Sequence, residues 1–552
     1  MRRRLMLSVA MLATGVGLLV AAGFATPAES GSDRAGGTFR YSLDTDIDYV
    51  DPALAYYVPT WQIEYVTCSM LMNYPDAPAP RGSRIAPDAA VAQPTISRNG
   101  RVYTFRVRTN RRFSDGTRIT AANFRYALNR SLSRRMSSPA QPFFDDIVGA
   151  QAVIDGNATS ARGIRVLRGN RLQLTLTQRA PDMLARLAMP FACAIKTNTP
   201  INPDGIQAPV VGSGPYYVHS WEPRRSIEVR RNRFYNGPRP HNVDRIVYDI
   251  GLPPATIKLN IDQGRTDHGP VPPAAHADLG RQFGVRKRSP GRYFVNPSPV
   301  FRYLAMNHER ALFGQPGGGA HTTAGNVRLK QAVNFAIDRI AMINQRGAYA
   351  GVINDQYLPP TMAGFRNAAV YPARPNLTRA RSLASGATRG GRGVFYNCNA
   401  AVCRSTGQIV QANLRAIGVD LDIREFPRAT QFTRTGTRGE PFDLTLEGWH
   451  SDYFDPYNFI FLLDGTTIRP NNNVNFSYFN SRAFNTKIRR AASMVGTARY
   501  RAFGNLDIDL ARNAAPLASY ITDNSRFYFS SRVRNFFYQP LYELDLAAIA
   551  VQ

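Results

Sequence analysis

Phe113-Ser114-Asp115-Gly116-Thr117-Arg118-Ile119-Thr120-Ala121 is the stretch that decides how this 552-residue chain is built. Asp115-Gly116 predicts a tight turn, with Gly116 free to take positive φ. Thr120 then stands as N-cap to a helix whose apolar side chains, Phe124, Ala127, Leu128 and Leu132, with Ser131 among them, fall at helical spacing. Asn123 occupies the place where Glu or Gln completes a capping box. Upstream, Tyr103, Phe105 and Val107 alternate with Thr104, Arg106 and Arg108, the period of a half-buried strand. Strand, turn and helix in succession make an α/β unit.

Outward from it the same alternation continues. Thr38 to Leu43 reads as a strand, and Asp51-Pro52 as a helix start with aspartate as N-cap. Leu172, Leu174 and Leu176 give another strand, and Asp182 to Ala188 a short helix stopped by Pro190. Gly212-Ser213-Gly214-Pro215-Tyr216 is a turn before a strand, and Ile227-Glu228-Val229 alternates again. From Val327 to Asn344, Leu329, Val333, Ala336, Ile337, Ile340 and Ile343 predict one long helix, with Tyr357-Leu358-Pro359-Pro360 extended beyond it. Gly407 to Ile417 predicts a helix capped by Gly418, feeding a strand over Val419 to Phe426. No internal repeat is seen, and mixed α/β sheets are expected.

At 44% hydrophobic and 19% charged residues the chain is globular, and its length calls for more than one domain. The formal charge of +29 comes from 68 Lys+Arg against 39 Asp+Glu. The arginines are spread through the chain, as in Arg111/Arg112 and Arg230/Arg231, without a basic tail or repeat. A diffuse field follows and no nucleic-acid partner is expected, although a basic surface protein holding a polyanion is the rival from another class. Arg2-Arg3-Arg4 followed by an apolar run from Leu5 to Ala25, with small residues at Gly23-Phe24-Ala25, reads as an export signal. An uncleaved N-terminal anchor is its competitor. The first cysteine is Cys68, so no lipidated cysteine follows the signal and a lipoprotein is not expected.

Four cysteines in an exported chain predict up to two disulfides. Cys398 and Cys403 close a very short loop, and pairing them leaves Cys68 with Cys193. A zinc site is the alternative, opposed by the spacing and by the lack of a nearby histidine. Nucleophile elbows, Walker loops and His-Glu-x-x-His are missing, so neither an enzyme nor a cofactor is expected.

Five stretches in order then resemble the peptide-binding family of ABC importer receptors, which also holds proteins for nickel and oligosaccharides. They are Asp51-Pro52-Ala53, the 113–121 stretch, Gly212 to Tyr216 with Arg231-Asn232-Arg233-Phe234-Tyr235, Val327-Arg328 to Ala336-Ile337-Asp338-Arg339, and Gly448-Trp449-His450-Ser451-Asp452-Tyr453-Phe454-Asp455-Pro456. The resemblance implies a two-lobed, hinged periplasmic-binding-protein type II fold with an additional α/β domain. Its division places the signal and linker at 1–35, the first lobe at 36–60, 164–265 and 480–552, the extra domain at 61–163 and the second lobe at 266–479. It also implies a monomer that closes over a peptide or similar extended polar solute and delivers it to a membrane permease.

The resemblance assigns Asp452 to the ligand's amine, against a surface or capping aspartate. Trp449 and Tyr453 would line the cleft as flat walls, or pack in the core. Tyr56 and Tyr57 are expected to reach it. Asp455 before Pro456 reads as a plain N-cap, and His450 as a hydrogen-bonded bystander.

Overall fold

The computed structural model describes residues 36–552. The export signal and the start of the linker lie outside the described residues. Among the described residues no helix is long and apolar enough to cross a membrane.

Three sheets organise the chain. The first has four strands in the order Thr38–Leu43, Arg245–Ile250, Ser226–Arg231, Tyr216–Glu222. Its first pair is parallel and the others antiparallel. The alternation read at both ends puts Phe39, Ile227, Val229 and Ile246 into one core, closed by Leu544, Ile549 and Val551 from the C-terminus. The second sheet has six strands, in the order Gly351–Val352, Leu517–Tyr528, Tyr293–Met306, Leu444–His450, Arg392–Cys398, Asp420–Phe426. The third orders Thr95–Ile96, Val102–Arg106, Arg171–Thr175 and Ile164–Leu167, all antiparallel.

The deciding stretch folds as read. Gly116 has φ +85 and Thr120 caps helix Ala121–Leu132, its amide donating to Asn123 Oδ1 at 2.8 Å. The structure adds what the turn docks on. Ser114 N donates to Gly212 O at 2.8 Å and Ser114 Oγ accepts from Gly212 N at 3.1 Å. A Cβ on Gly116 would lie 3.3 Å from the Phe234 ring. The quoted motifs therefore meet and fasten the third sheet's unit to the first sheet. Beside that seam Cys68 is bonded to Cys193; Cys398 is bonded to Cys403.

Two long neighbours of the six-stranded sheet connect its core to that of the first sheet. Tyr293–Met306 places Phe294 in the first core and Leu304 in the second, and Leu517–Tyr528 likewise places Phe527 and Ile521. Their pairing loses register between Pro297 and Phe301. Pro297 and Pro299 cannot donate to a ladder, so the strand is weakest where it passes between cores, the place for a hinge.

Several expectations are corrected. Residues 171–175 pair with 102–106 and 164–167 pair with 171–174, because Leu172 and Leu174 share the buried face of Tyr103 and Phe105, so this segment belongs with the third sheet and not the first. Residues 517–528 lie in the six-stranded sheet and serve both cores, with Ile521 in the second and Phe527 in the first, so they are not confined to the first lobe. The helix expected over 327–344 is two, Val327–Ala336 and Arg339–Asn344. Ile337 is extended there, and Asp338 caps the second helix by accepting from Ala341 N at 2.9 Å, the local side-chain bond that competes with helix continuation. Helix Ala401–Arg415 begins six residues before the expected Gly407. Asp51-Pro52 starts no helix. Asp51 sits in a turn, its carboxylate taken by both terminal nitrogens of buried Arg130 at 2.7 and 2.6 Å, and the first helix is Val58–Thr67.

Candidate functional site

Between the first helix and the ends of the six-stranded sheet lies a cavity of about 710 Å³. Tyr56, Tyr57 and Trp61 line it from one side, Trp449 and Asp452 from the other, and the Cys398–Cys403 loop with Phe432 closes a third wall. A second chamber of about 440 Å³ adjoins it, and Val58, Arg302, Arg346, Arg428, Gly448 and His450 border both.

Strand Leu444–His450 delivers Trp449 and His450 to the cavity, and the chain turns directly after it to present Asp452. Asp452 is 5% exposed. Its backbone N–H donates to Asn458 Oδ1 at 2.8 Å, while its Oδ2 accepts from Asn458 Nδ2 at 2.8 Å and from Tyr56 OH at 3.3 Å. No ion pair involving Asp452 is found among the described residues. Burial pushes its carboxyl up to about 7, against the opposing pull of the Asn458 bond, the nearby His450 and the Tyr56 bond. Trp449 is fixed by its indole N–H on Asn458 Oδ1 at 3.2 Å, so one asparagine orients both residues. Tyr56 meets Trp449 edge to face, with centroids 6.2 Å apart, and Tyr57 meets Phe432 in the same way at 6.2 Å.

Tyr453 does not join them. It is 1% exposed, and its hydroxyl donates to Asp182 Oδ2 at 3.0 Å within a network of buried ion pairs, turned away from the cavity. Asp455 belongs to that network too. Its Oδ1 accepts from Tyr457 N at 2.8 Å as a cap would, but Arg499 also grips the carboxylate at 2.7 and 2.9 Å, so it is more than a plain N-cap. His450 is hydrogen-bonded as expected, its Nδ1 lying 3.0 Å from the Ser451 carbonyl oxygen. It borders both chambers, and although burial opposes its charge, Glu543 at 3.5 Å outweighs that and raises its pKa. Glu543 in turn accepts from Ser298 and Ser525 at 2.7 and 2.5 Å.

The second chamber holds residues that no motif announced. Arg302 and Arg346 share Asp523 at 2.6 and 3.2 Å. Arg526, whose Nη1 donates to the carbonyls of Arg346 and Ala348, has no ion-pair partner among the described residues, and burial lowers its pKa to about 10. These arginines lie in strands or loops where one basic residue looks like any other. Among the described residues no group of three or more His, Cys, Asp or Glu is placed to hold a metal ion.

Residues 84–494 match the family described as bacterial extracellular solute-binding proteins, family 5 Middle. The chain belongs to that family. The periplasmic oligopeptide-binding protein OppA of Escherichia coli is 21% identical over 468 residues, covering 80% of each chain. The fold is shared with the clavulanic acid biosynthesis oligopeptide binding protein 2, at TM-score 0.81 and 24% identity over 94% of this chain and 96% of the other. It is also shared with the periplasmic binding protein DppA of Helicobacter pylori in complex with the peptide STSA, at TM-score 0.79 and 20% identity over 94% and 99%. The two-lobed α/β architecture of this family is thus the architecture of the three sheets and the crossing strands.

Proposed function

We propose that this chain is the extracytoplasmic receptor of an ABC importer, capturing oligopeptides or similar extended polar solutes in the cleft and handing them to a membrane permease. The observation that carries the reading is Asp452: a buried carboxylate bound by an amide and a phenol, with no ion-pair partner among the described residues. A buried charge without a counter-charge is costly, and a ligand ammonium supplies one. Asp452 borders the first chamber and not the second, while the unpaired Arg526 borders the second and not the first. A solute with an amine and an anionic group separated along its length matches both. The relatives named for oligopeptides and the apolar N-terminal run support delivery from outside the cytoplasm.

Thermal-shift measurement with short peptides tests it. Peptides with a free amine stabilise the protein, N-acetylated versions do so less, and the difference vanishes in Asp452→Asn. Stabilisation by a nickel chelate or a glycan, with none by any peptide, overturns the reading.

A further inference from the structure

The third sheet buries one face and leaves the other bare. Inward, Tyr103, Phe105, Leu172 and Leu174 pack under helix Ala121–Leu132 with Phe124 and Leu128. Outward, the register sets Arg106 directly opposite Arg171, and sets Arg165 opposite Gln173, one diagonal step from Arg171. All three arginines are exposed. Like charges placed directly across a ladder destabilise it, so neither sheet pairing nor core packing accounts for them.

Nothing among the described residues neutralises them. None of the four strands carries a carboxylate, and no ion pair among the described residues involves Arg106, Arg165, Arg168 or Arg171. Residues 95–179 hold sixteen arginines against four aspartates, with no lysine or glutamate. Asp115 pairs with Lys196, Asp145 with Arg469 and Asp146 with Arg186, at 2.9, 3.2 and 2.9 Å, so three of the four aspartates serve other cations. The positive charge that looks diffuse along the sequence is concentrated here.

We propose that this sheet face is a docking surface for an anionic phospholipid bilayer. Guanidinium groups bind phosphodiesters in pairs, and between them Thr95, Thr104, Gln173 and Thr175 offer hydroxyl and amide donors on the same face. A sheet presents them as a broad face, matched to a bilayer rather than to a groove-bound chain. The face carries no aromatic side chain on which a nucleic-acid base would stack, since Tyr103 and Phe105 point into the core. The choice of lipid over other polyanions rests on the extracytoplasmic placement proposed above. The surface would hold the receptor near the membrane that contains its permease, with attraction reaching about one Debye length, ~10 Å.

Vesicle co-sedimentation of the full chain tests this, with phosphatidylcholine alone compared with phosphatidylcholine containing about 30% phosphatidylglycerol. The variants are R106E/R165E/R171E and, as a charge-matched control off this face, R374E/R379E/R501E, whose arginines are also exposed. The expected result is binding that needs phosphatidylglycerol, falls with salt, drops at least about tenfold in the face variant and stays within about threefold in the control. Equal losses in the two variants, or equal binding to both vesicle types in wild type and face variant, overturn the proposal. Retention on a soluble wall polyanion that the face variant loses, with vesicle binding unchanged, overturns lipid as the occupant. The peptide-induced thermal shift, measured on the same variants, reports their folding. Its absence in wild type refutes the receptor reading and leaves the vesicle result standing.

Discussion

Tyr56 and Asp452, 396 positions apart, are joined by a hydrogen bond of 3.3 Å from the phenol to Oδ2. The bond links the segment before the first helix to the loop after strand Leu444–His450, the two sides of the cavity. It also supplies one of the two donors that reach this buried carboxylate among the described residues.

Ligand-free stability should carry the mark of that burial. The Asp452 carboxyl is held up to about 7 in the folded protein, against about 4 for an ordinary aspartate. A raised carboxyl favours folding when protonated, so its contribution is full below about pH 4 and is lost as pH rises through about 7. Asp507 and Asp145, raised to about 7 and about 6, add slopes of the same sign. The test is therefore the difference from Asp452→Asn. The variant's thermal midpoint, relative to wild type, should rise from pH 5 to about pH 7 and level off above it.

Amine recognition has the opposite dependence. An ammonium ligand needs the ionised carboxylate, so below pH 7 binding must expel a proton. Peptide affinity should climb by up to about tenfold per pH unit from pH 5 towards 7 and fall again above about pH 8, where the peptide's α-amine loses its proton. Calorimetry in buffers of different ionisation enthalpy should register proton release on the acid side and proton uptake above about pH 8.

Tyr56→Phe removes a donor to the ionised form while keeping the ring against Trp449. Peptide affinity at pH 7 is expected to fall about three- to tenfold, with the pH midpoint of binding moving upwards. Loss of affinity without movement of that midpoint would show that the ring, rather than the hydroxyl, matters.

The Arg130–Asp51 pair has side chains at 0% exposure on both partners. Asp51→Asn leaves the guanidinium buried against a neutral partner and should cost about 3–5 kcal/mol, read as a fall in the denaturant midpoint. The relative cost of removing each disulfide follows loop length. Cys68–Cys193 closes a separation of 125 and Cys398–Cys403 one of 5, for about 5 against about 2 kcal/mol in the chain-entropy account. Cys398→Ala with Cys403→Ala should therefore perturb ligand binding, whose wall it forms, more than it perturbs stability.

What the sequence determined by itself was local. The turn and cap at 113–121, the alternating leucines of 172–176 and the strand at Thr38–Leu43 are set by side-chain period, backbone freedom at Gly116 and a capping bond three residues long. All survive in the structure. Order and spacing of such pieces sufficed to place the chain in its family. Tertiary structure decided the rest. Asp338 stops a helix that periodicity would carry through, and Tyr453, two residues from the cavity's Ser451, turns to Asp182 in another part of the fold. Asp452 finds Tyr56, and Arg106 finds Arg171, across separations that no periodicity records. Periodicity reports which face of an element is buried. It says nothing of what lies across the gap, because charge, donors and cavity walls at a site are assembled by contacts between residues far apart in the chain.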